Sequence, residues 1–216
     1  MTTHQPLAVF DLDGTLNRTD LFSVPAHQQT LKEFGVPEET CTREFILSAY
    51  GMRWEDYMEL FLPGRDLETK RQYIRRVSQL EDTSMKTLAR YYDGIPEMLD
   101  ALHQAGIQTA VCSNASIRYI TAVLNALHLM DRIDHIQHLV DGLDKCATLK
   151  LLLEKVQPSK AVMVGDRIFD IEAARANRIP SVGCLYGFNP AEAEKADYAV
   201  RSVPELTPIL LDLLKD

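Results

Sequence analysis

The 216-residue sequence has no long apolar run. No stretch approaches the roughly 18 uninterrupted apolar residues that a membrane-spanning helix needs. The sequence also has no internal repeat, and its N-terminus has neither a basic region nor an apolar signal core, so we expect a cytoplasmic location and no membrane partner. Because 46% of the residues are hydrophobic and 25% are charged, the composition is that of a globular protein. From the length of the chain we expect one core domain with an insertion of roughly 70 residues.

Cysteine and positive charge are also scarce. The four cysteines contain no Cys-x-x-Cys pair, which favours reduced thiols over a zinc site or disulfides. The chain has 23 basic and 31 acidic residues, and its net charge of −8 argues against nucleic acid as a partner. A small anionic ligand is compatible with this charge, because a metal ion, a lysine and backbone N–H groups can hold phosphate locally.

Asp11 and Asp13 follow the first apolar segment of the chain, residues 7–10. This segment, LAVF, is typical of a short strand buried on both faces of a parallel sheet. Side chains two residues apart on a strand point the same way, so the two carboxylates would crowd together where Gly14 permits a sharp turn. Close negative charges resist joint ionisation without compensation. The pattern indicates a divalent metal site, although a polar turn would contain the same residue types.

The rest of the chain has two kinds of periodicity. From residue 19 to about residue 90, apolar residues recur every three or four positions, which predicts helices broken near residues 35–37, 51 and 63–64. From Tyr91, strands alternate with helices, which predicts an α/β fold with a doubly wound parallel sheet. We therefore expect a core domain of residues 1–17 and 91–216 and a helical insert of residues 18–90. The later strands are predicted at 107–112, 135–138, 161–164, 181–184 and 198–200, and the spacing of Ser202 and Glu205 predicts a capping box before the last helix.

Further polar residues follow the predicted strands. Ligands of doubly wound sheets bind beyond the C-terminal ends of the strands. Ser113 and Asn114 follow one strand, and Asp166 and Asp170 follow another. A lysine, either Lys145 or its neighbour Lys150, opens the helix between them, and Ser113 could instead cap the helix that follows it. Metal ligands, a hydroxyl and a cation on one edge suit phosphoryl transfer, in which positioning and charge neutralisation dominate.

These motifs together resemble those of the haloacid dehalogenase (HAD) superfamily, most of whose members are Mg²⁺-dependent phosphohydrolases. The resemblance rests on Asp-Leu-Asp-Gly-Thr-Leu at 11–16, on Ser113 and Lys145, and on Gly-Asp-x-x-x-Asp at 165–170. It implies that Asp11 is the nucleophile that forms an aspartyl-phosphate and that Asp13 is the general acid and then the base.

The same resemblance implies the remaining site residues. Mg²⁺ would be held by Asp11, the main-chain carbonyl of Asp13 and Asp166, with Asp170 orienting metal-bound waters or Lys145. Ser113, Asn114 and Lys145 would bind the phosphoryl group.

Within the superfamily the closest likeness is to phosphoglycolate-phosphatase-like members, through residues 165–174 and 183–187. In many of these enzymes a helical cap, inserted where residues 18–90 lie, closes over the site, although these helices could simply pack on the core. The chain departs from these relatives at Arg18, where they usually have an acidic residue, which weakens the substrate analogy. It also departs at Arg178, where glycine is usual at a helix C-terminus, and we expect this to cost about 1 kcal/mol of local stability.

Arg53 stands in the insert between Tyr50-Gly51 and Trp54. The corresponding cap loop in the family selects the substrate, so Arg53 could bind a second anionic group, or it could be a solvated surface residue. The expected function is hydrolysis of a small phosphorylated metabolite, either phosphoglycolate-like or a sugar phosphate, with Mg²⁺ as cofactor. A phosphomutase of the same superfamily is the first alternative, and a phospho-accepting or binding module is the second.

Overall fold

The computed structural model describes residues 4–215. The prediction of a cytoplasmic location rests in part on residues 1–3, which lie outside the described residues. Two compact units make up this chain. One comprises the described part of Met1–Asn17 and Tyr91–Asp216, and the other is Arg18–Arg90. The assignment of these units as catalytic core and cap stays a prediction. Within residues 4–215, no helix has both the length and the apolarity needed to cross a membrane.

The second unit is helical throughout, and residues 18–90 contain no strand. Gly35, which follows the first helix, has a positive φ of 78°, and Asp66 accepts a hydrogen bond from the Thr69 N–H at 2.9 Å at the start of the last helix. The helical insert predicted from the apolar spacing is therefore confirmed. Its helices are α1 (Asp20–Glu33), α2 (Arg43–Ser48), α3 (Trp54–Phe61) and α4 (Leu67–Leu88), with a short 3-10 helix at Glu38–Thr40.

Among the described residues of the first unit, six parallel strands form one sheet. They are β1 (Leu7–Phe10), β2 (Gln108–Cys112), β3 (His135–Gln137), β4 (Ala161–Gly165), β5 (Ser181–Cys184) and β6 (Tyr198–Val200). Their order in the sheet is β3-β2-β1-β4-β5-β6, and every neighbouring pair is parallel. The α/β fold with a parallel sheet that the alternation of strands and helices predicts is confirmed. The order puts β1 in the interior of the sheet, between β2 and β4.

Helices connect and cover these strands. They are α5 (Ile95–Gln104), α6 (Ile117–Ala126), α7 (Lys145–Val156), α8 (Ile168–Ala176), α9 (Pro190–Ala193) and α10 (Val203–Leu214), with a 3-10 helix at Met130–Arg132. One buried cluster joins Leu7 and Val9 of β1 to Leu149 of α7 and Ala173 of α8. Because alternate side chains of a strand share a face, Asp11 continues the line of Leu7 and Val9 on the side where α7 and α8 pack.

The predicted capping box at α10 is wrong in detail. Ser202 is the N-cap residue, but its side chain makes no capping hydrogen bond. The Glu205 N–H, which a capping box would give to the serine hydroxyl, donates instead to the main-chain carbonyl of Ser202 at 3.2 Å. The Glu205 carboxylate accepts from the N–H of Arg201, one residue before the N-cap, at 2.9 Å. The carbonyl of Ser202 therefore accepts the hydrogen bond that its hydroxyl would accept in a capping box.

Helix α8 ends at an arginine in the left-handed conformation. Arg178 has a φ of +58°, its N–H donates to the Arg175 carbonyl, and the N–H of Ile179 donates to the Ala174 carbonyl, both at 3.1 Å. This pair of hydrogen bonds defines a Schellman motif, whose left-handed position favours glycine. The prediction that Arg178 occupies a glycine position at a helix C-terminus is confirmed.

We expect Arg178→Gly to raise the free energy of unfolding by about 0.5–1 kcal/mol, because glycine adopts a positive φ without the steric cost of a Cβ. Arg178 is exposed, so little packing is lost. Urea denaturation of both proteins measures the difference. The matched control is Gly106→Ala, because Gly106 has a φ of +75° at the C-terminus of α5, and this variant should lose stability. A lower stability of Arg178→Gly would contradict the expectation.

Candidate active site

The register of the sheet aligns the ends of three neighbouring strands. Phe10 of β1 pairs with Val111 of β2 and with Val164 of β4. Counting onward by the same offset, Ser113 and Asp166 each lie two positions beyond these paired residues, as Leu12 does on β1. The polar segments after the three strands therefore lie along one edge of the sheet, as expected for ligand sites of parallel α/β folds.

Lys145 is a buried cation that joins two of the carboxylates. It is the first residue of α7, follows the N-cap Asp144, and is 5% exposed. Its Nζ donates to Asp11 Oδ1 at 2.6 Å and lies 2.5 Å from Asp170 Oδ1. The rival Lys150 has a side chain that is 67% exposed and pairs with Glu154. Lys145 is therefore the lysine that the fold brings to the aspartates.

Asp166 is fully buried and is held by donors from two loops. Its Oδ2 accepts a hydrogen bond from the Phe188 N–H at 2.7 Å, and its Oδ1 accepts from Thr15 Oγ1 at 3.4 Å. Gly14, with a φ of +83°, and Gly187 pass so close to Asp166 that a Cβ on either residue would collide with it. Both glycines are thus required by the approach of the backbone to this carboxylate.

Asp11, Asp166 and Asp170 form one buried group of carboxylates. Each offers an oxygen atom, and these atoms lie within 4.8 Å of one another. When all three are ionised, Lys145 compensates one of three negative charges and leaves an excess of two. Oxygen ligands with this charge suit a hard divalent cation such as Mg²⁺. The donor set that the structure provides therefore fits the metal that the sequence predicts.

Burial is the main cause of the raised pKa values of the three carboxyl groups. Burial raises the pKa of Asp11, and the neighbouring Lys145 opposes this only in part. Burial, followed by the charges of Asp11 and Asp170, raises the pKa of Asp166 well above its usual value. Burial also raises the pKa of Asp170. For Lys145, burial acts to lower the pKa, but the two carboxylates outweigh it and raise the pKa, so the lysine stays charged.

The carboxylate of Asp13 is half-buried and accepts hydrogen bonds from two side chains. Its Oδ1 accepts from the Tyr119 hydroxyl at 3.0 Å and from Asn17 Nδ2 at 3.4 Å. The metal ligand implied at this position is the main-chain carbonyl rather than the side chain, and this role stays a prediction. The carboxylate of Asp13 is thus positioned by side chains from the loop after β1 and from α6.

Ser113 does not cap the helix that follows it. Its Oγ accepts from the Ala115 N–H at 3.2 Å, whereas the N-cap residue of α6 is Ser116, whose side chain accepts from the Tyr119 N–H at 3.3 Å. The capping alternative is therefore wrong, because the helix begins three residues later. Ser113 is buried at the sheet edge, and Asn114 beside it is half-buried. Their roles in substrate binding stay predictions.

Two arginines singled out in the sequence belong to the second unit. Arg53 is exposed at the N-cap of α3, and within residues 4–215 no hydrogen bond or ion pair of its side chain is observed. Arg18 lies 3.7 Å from the carboxylate of Asp20, which also pairs with Arg43 at 2.6 Å. The role of Arg53 in substrate binding stays a prediction.

Sequence reasoning missed three residues that hold the site. Thr15 lies inside the first motif, and its contact with Asp166 could have been inferred from the shared sheet edge. Phe188 directly follows residues 183–187, but only a main-chain N–H is used, which leaves no signal in the residue type. Tyr119 had no signal, because its contact with Asp13 depends on the rotation of α6.

The first unit is therefore an α/β domain with a parallel sheet. Its buried carboxylates and buried lysine form an acidic site beyond the carboxyl ends of the strands. The family model described as haloacid dehalogenase-like hydrolase matches residues 8–184, and the chain belongs to this family.

Similar proteins cover nearly the whole chain. It is 28% identical to phosphoglycolate phosphatase of Agrobacterium fabrum, over 97% of this chain and 94% of that protein. It is 25% identical to N-acetylmuramic acid 6-phosphate phosphatase of Pseudomonas aeruginosa, over 95% and 93% respectively. A solved structure described as a predicted phosphatase from Clostridium acetobutylicum superposes with a TM-score of 0.84 at 26% identity, covering 98% of this chain and all of that one. The prediction of a HAD-type phosphoric monoester hydrolase is confirmed.

We expect Mg²⁺ to raise the midpoint temperature of thermal unfolding by about 5–10 °C when its concentration is about a hundred times Kd, because the ion binds the folded carboxylate group. Differential scanning calorimetry with Mg²⁺ and with EDTA measures the shift. Asp166→Asn should remove most of it. The control Asp131→Asn changes an exposed aspartate and should keep the full shift. An equal shift in both variants would contradict a metal site at Asp166.

Proposed function

We propose that this protein is a Mg²⁺-dependent phosphatase that hydrolyses a small phosphorylated metabolite through an aspartyl-phosphate on Asp11. The observation that carries the proposal is the buried group of Asp11, Asp166 and Asp170 with Lys145 as its cation. A buried excess of negative charge costs folding free energy. In a phosphatase this charge would have a use, because the carboxylates would hold a metal cation that contacts the phosphoryl group.

In the first step, a carboxylate oxygen of Asp11 attacks phosphorus. The bond from phosphorus to the leaving oxygen breaks, and its electron pair goes to that oxygen, which takes a proton from the carboxylic acid of Asp13. The products are the free alcohol, the acyl phosphate of Asp11 and ionised Asp13. Lys145, fixed at 2.6 Å from Asp11 Oδ1, restrains the orientation of the attacking carboxylate.

In the second step, water attacks the phosphorus of the acyl phosphate and gives a proton to Asp13. The bond between phosphorus and the Asp11 oxygen breaks with its electron pair on Asp11, which returns as a carboxylate while inorganic phosphate leaves. Asp13 is protonated again and is ready for the next turnover. The hydrogen bonds from Tyr119 and Asn17 hold Asp13 in place for proton transfer. The group of Asp11, Asp166 and Asp170 would hold the metal cation.

Three side chains of the core would bind the phosphoryl group. Lys145 supplies a fixed positive charge, and Ser113 and Asn114 supply hydrogen-bond donors at the ends of the strands. Asp11, the carbonyl of Asp13 and Asp166 would hold Mg²⁺, with Asp170 beside them, and the bound ion would supply positive charge to the phosphoryl oxygens.

The substrate in this proposal is a small phosphate monoester in the cytoplasm. Two relatives of this protein are named as phosphatases of phosphoglycolate and of N-acetylmuramic acid 6-phosphate. Both compounds carry a carboxylate as well as a phosphate. Arg53, an exposed guanidinium at the start of α3, would bind such a second anionic group through paired hydrogen bonds.

We expect Asp11→Asn to abolish turnover while the fold is kept, because the amide preserves the shape but is not a nucleophile. Release of inorganic phosphate from a panel of phosphometabolites with Mg²⁺ measures the activity, and circular dichroism checks the fold. Asp131→Asn serves again as the control and should stay fully active. Activity of Asp11→Asn above about a hundredth of the parent value would contradict the mechanism. Phosphate release that requires a bisphosphate activator would favour the mutase alternative.

We expect Arg53→Ala to raise KM at least about tenfold for a substrate that carries a carboxylate, and to change KM little for a generic aryl phosphate, because the chemistry stays with the core. Arg53→Lys should restore only part of the affinity, since an ammonium cannot form the paired hydrogen bonds. The control is Arg65→Ala, which removes another exposed arginine of the same unit. Parallel changes for both substrates would remove Arg53 from the binding site.

A further inference from the structure

Tyr119 contacts the carboxylate to which the proposed function gives the proton transfers. This half-buried residue lies in the first turn of α6, and its hydroxyl donates to Asp13 Oδ1 at 3.0 Å. Asn17 Nδ2 approaches the same oxygen at 3.4 Å. Two donors from different parts of the chain, one four residues from Asp13 and the other 106 residues away, thus converge on one of the two oxygens.

The Asn17 amide and the Tyr119 hydroxyl both restrain the same oxygen of Asp13, Oδ1. An amide NH₂ group can only donate, so this oxygen serves as the acceptor. Resting on the proposed function, we infer that Tyr119 is a positioning residue that holds the Asp13 carboxyl in the orientation from which it transfers a proton to the leaving group.

The packing of α6 gives Tyr119 a fixed position. Ser116 caps the helix, and Ile120, Val123 and Leu124 on the same helix are fully buried. These anchors set the rotation of α6, and the rigid phenol ring carries its hydroxyl to Asp13 with few side-chain torsions to restrain. A residue in this position orients the carboxyl without contacting the reacting atoms.

Tyr119 acts on both steps through Asp13. As the bond from phosphorus to the leaving oxygen breaks, Asp13 gives its proton to that oxygen, while the hydrogen bond from Tyr119 holds the carboxyl in place. When water attacks the acyl phosphate, Asp13 takes the proton back. Tyr119 neither loses nor gains a proton in either step. Its hydrogen bond therefore bears on proton transfer to the leaving group and not on binding of the phosphoryl group.

The test compares Tyr119→Phe with the parent enzyme on two substrates. One is p-nitrophenyl phosphate, whose leaving group needs little protonation, and the other is the best alkyl phosphate found in the metabolite panel. We expect kcat for the alkyl phosphate to fall about 10–30-fold and kcat for the aryl phosphate to fall less than about threefold, with KM unchanged for both. A structural role for the hydroxyl would lower both values alike.

A matched control uses another tyrosine hydroxyl bonded to the same loop. Tyr186 donates to the main-chain carbonyl of Thr15 at 3.1 Å, two residues from Asp13. Tyr186→Phe removes a hydrogen bond of similar length and should change kcat for the alkyl and aryl phosphates by the same factor. Selectivity against the alkyl phosphate in this control would assign the effect to the loop as a whole and overturn the inference.

A double-mutant cycle with Asp13→Asn completes the test. Phenyl phosphate is used, because its leaving group lies between the other two in basicity and keeps the slow variants measurable. Tyr119→Phe should lower kcat about fivefold in the parent enzyme and less than twofold in the Asp13→Asn background, because the group it positions is then gone. Equal factors in both backgrounds, or a gain in kcat on losing the hydroxyl, would overturn the inference.

The outcomes separate this inference from the proposed function. Activity that survives in Asp11→Asn would remove the mechanism and the inference with it. If Asp11→Asn is inactive and Asp13→Asn discriminates against the alkyl phosphate but Tyr119→Phe does not, the proposed function stands and the role of Tyr119 fails.

Discussion

The site depends on a buried ammonium that bridges two buried carboxylates. Lys145 is 5% exposed and lies within 2.6 Å of oxygens of both Asp11 and Asp170. Removing one partner from such an arrangement typically costs about 3–5 kcal/mol, because the remaining charge stays buried and uncompensated. Leu149, one helical turn after Lys145, is fully buried in the cluster that contains Leu7 and Val9. The packing of α7 in this apolar cluster therefore sets the position of the ion pair.

The lysine compensates only part of the charge, and this imbalance distinguishes a functional site from a structural salt bridge. A purely structural pair would match charges, whereas here three carboxylates share one ammonium and their pKa values rise. The surrounding backbone has adapted to this arrangement: Gly14 and Gly187 leave room for Asp166, and the Phe188 N–H donates to it. Uncompensated buried charge lowers stability, and proteins accept this cost at functional sites. Here the neighbouring contacts stabilise the buried carboxylates.

The sheet and its acidic residues could be read from the sequence because both follow from repeating geometry. A parallel strand needs apolar residues on both faces, so β1 and β4 are visible as apolar runs, and the residues after them must share an edge. Asp11 and Asp166 are predicted by this rule, whereas Lys145 is predicted from its place at the start of a helix and from the family motifs. The contact between Tyr119 and Asp13 is not predicted, because it depends on the rotation of α6 about its axis. The capping predictions for Ser202 and Ser113 fail for different reasons. At Ser202 the main-chain carbonyl accepts the hydrogen bond in place of the hydroxyl, and at Ser113 the helix begins three residues later, with Ser116 as its N-cap.

The ion pairs of Asp20 differ from the Lys145 group in the exposure of their cations. Asp20 pairs with Arg18 and Arg43, whose side chains are 44% and 51% exposed, whereas the side chain of Lys145 is 4% exposed. Ion pairs whose cations reach water contribute about 0–1 kcal/mol, so loss of the Arg18 charge should affect folding little while Arg43 still compensates Asp20. Lys145 has no such substitute, because its removal would leave the buried carboxylates around it without a compensating charge.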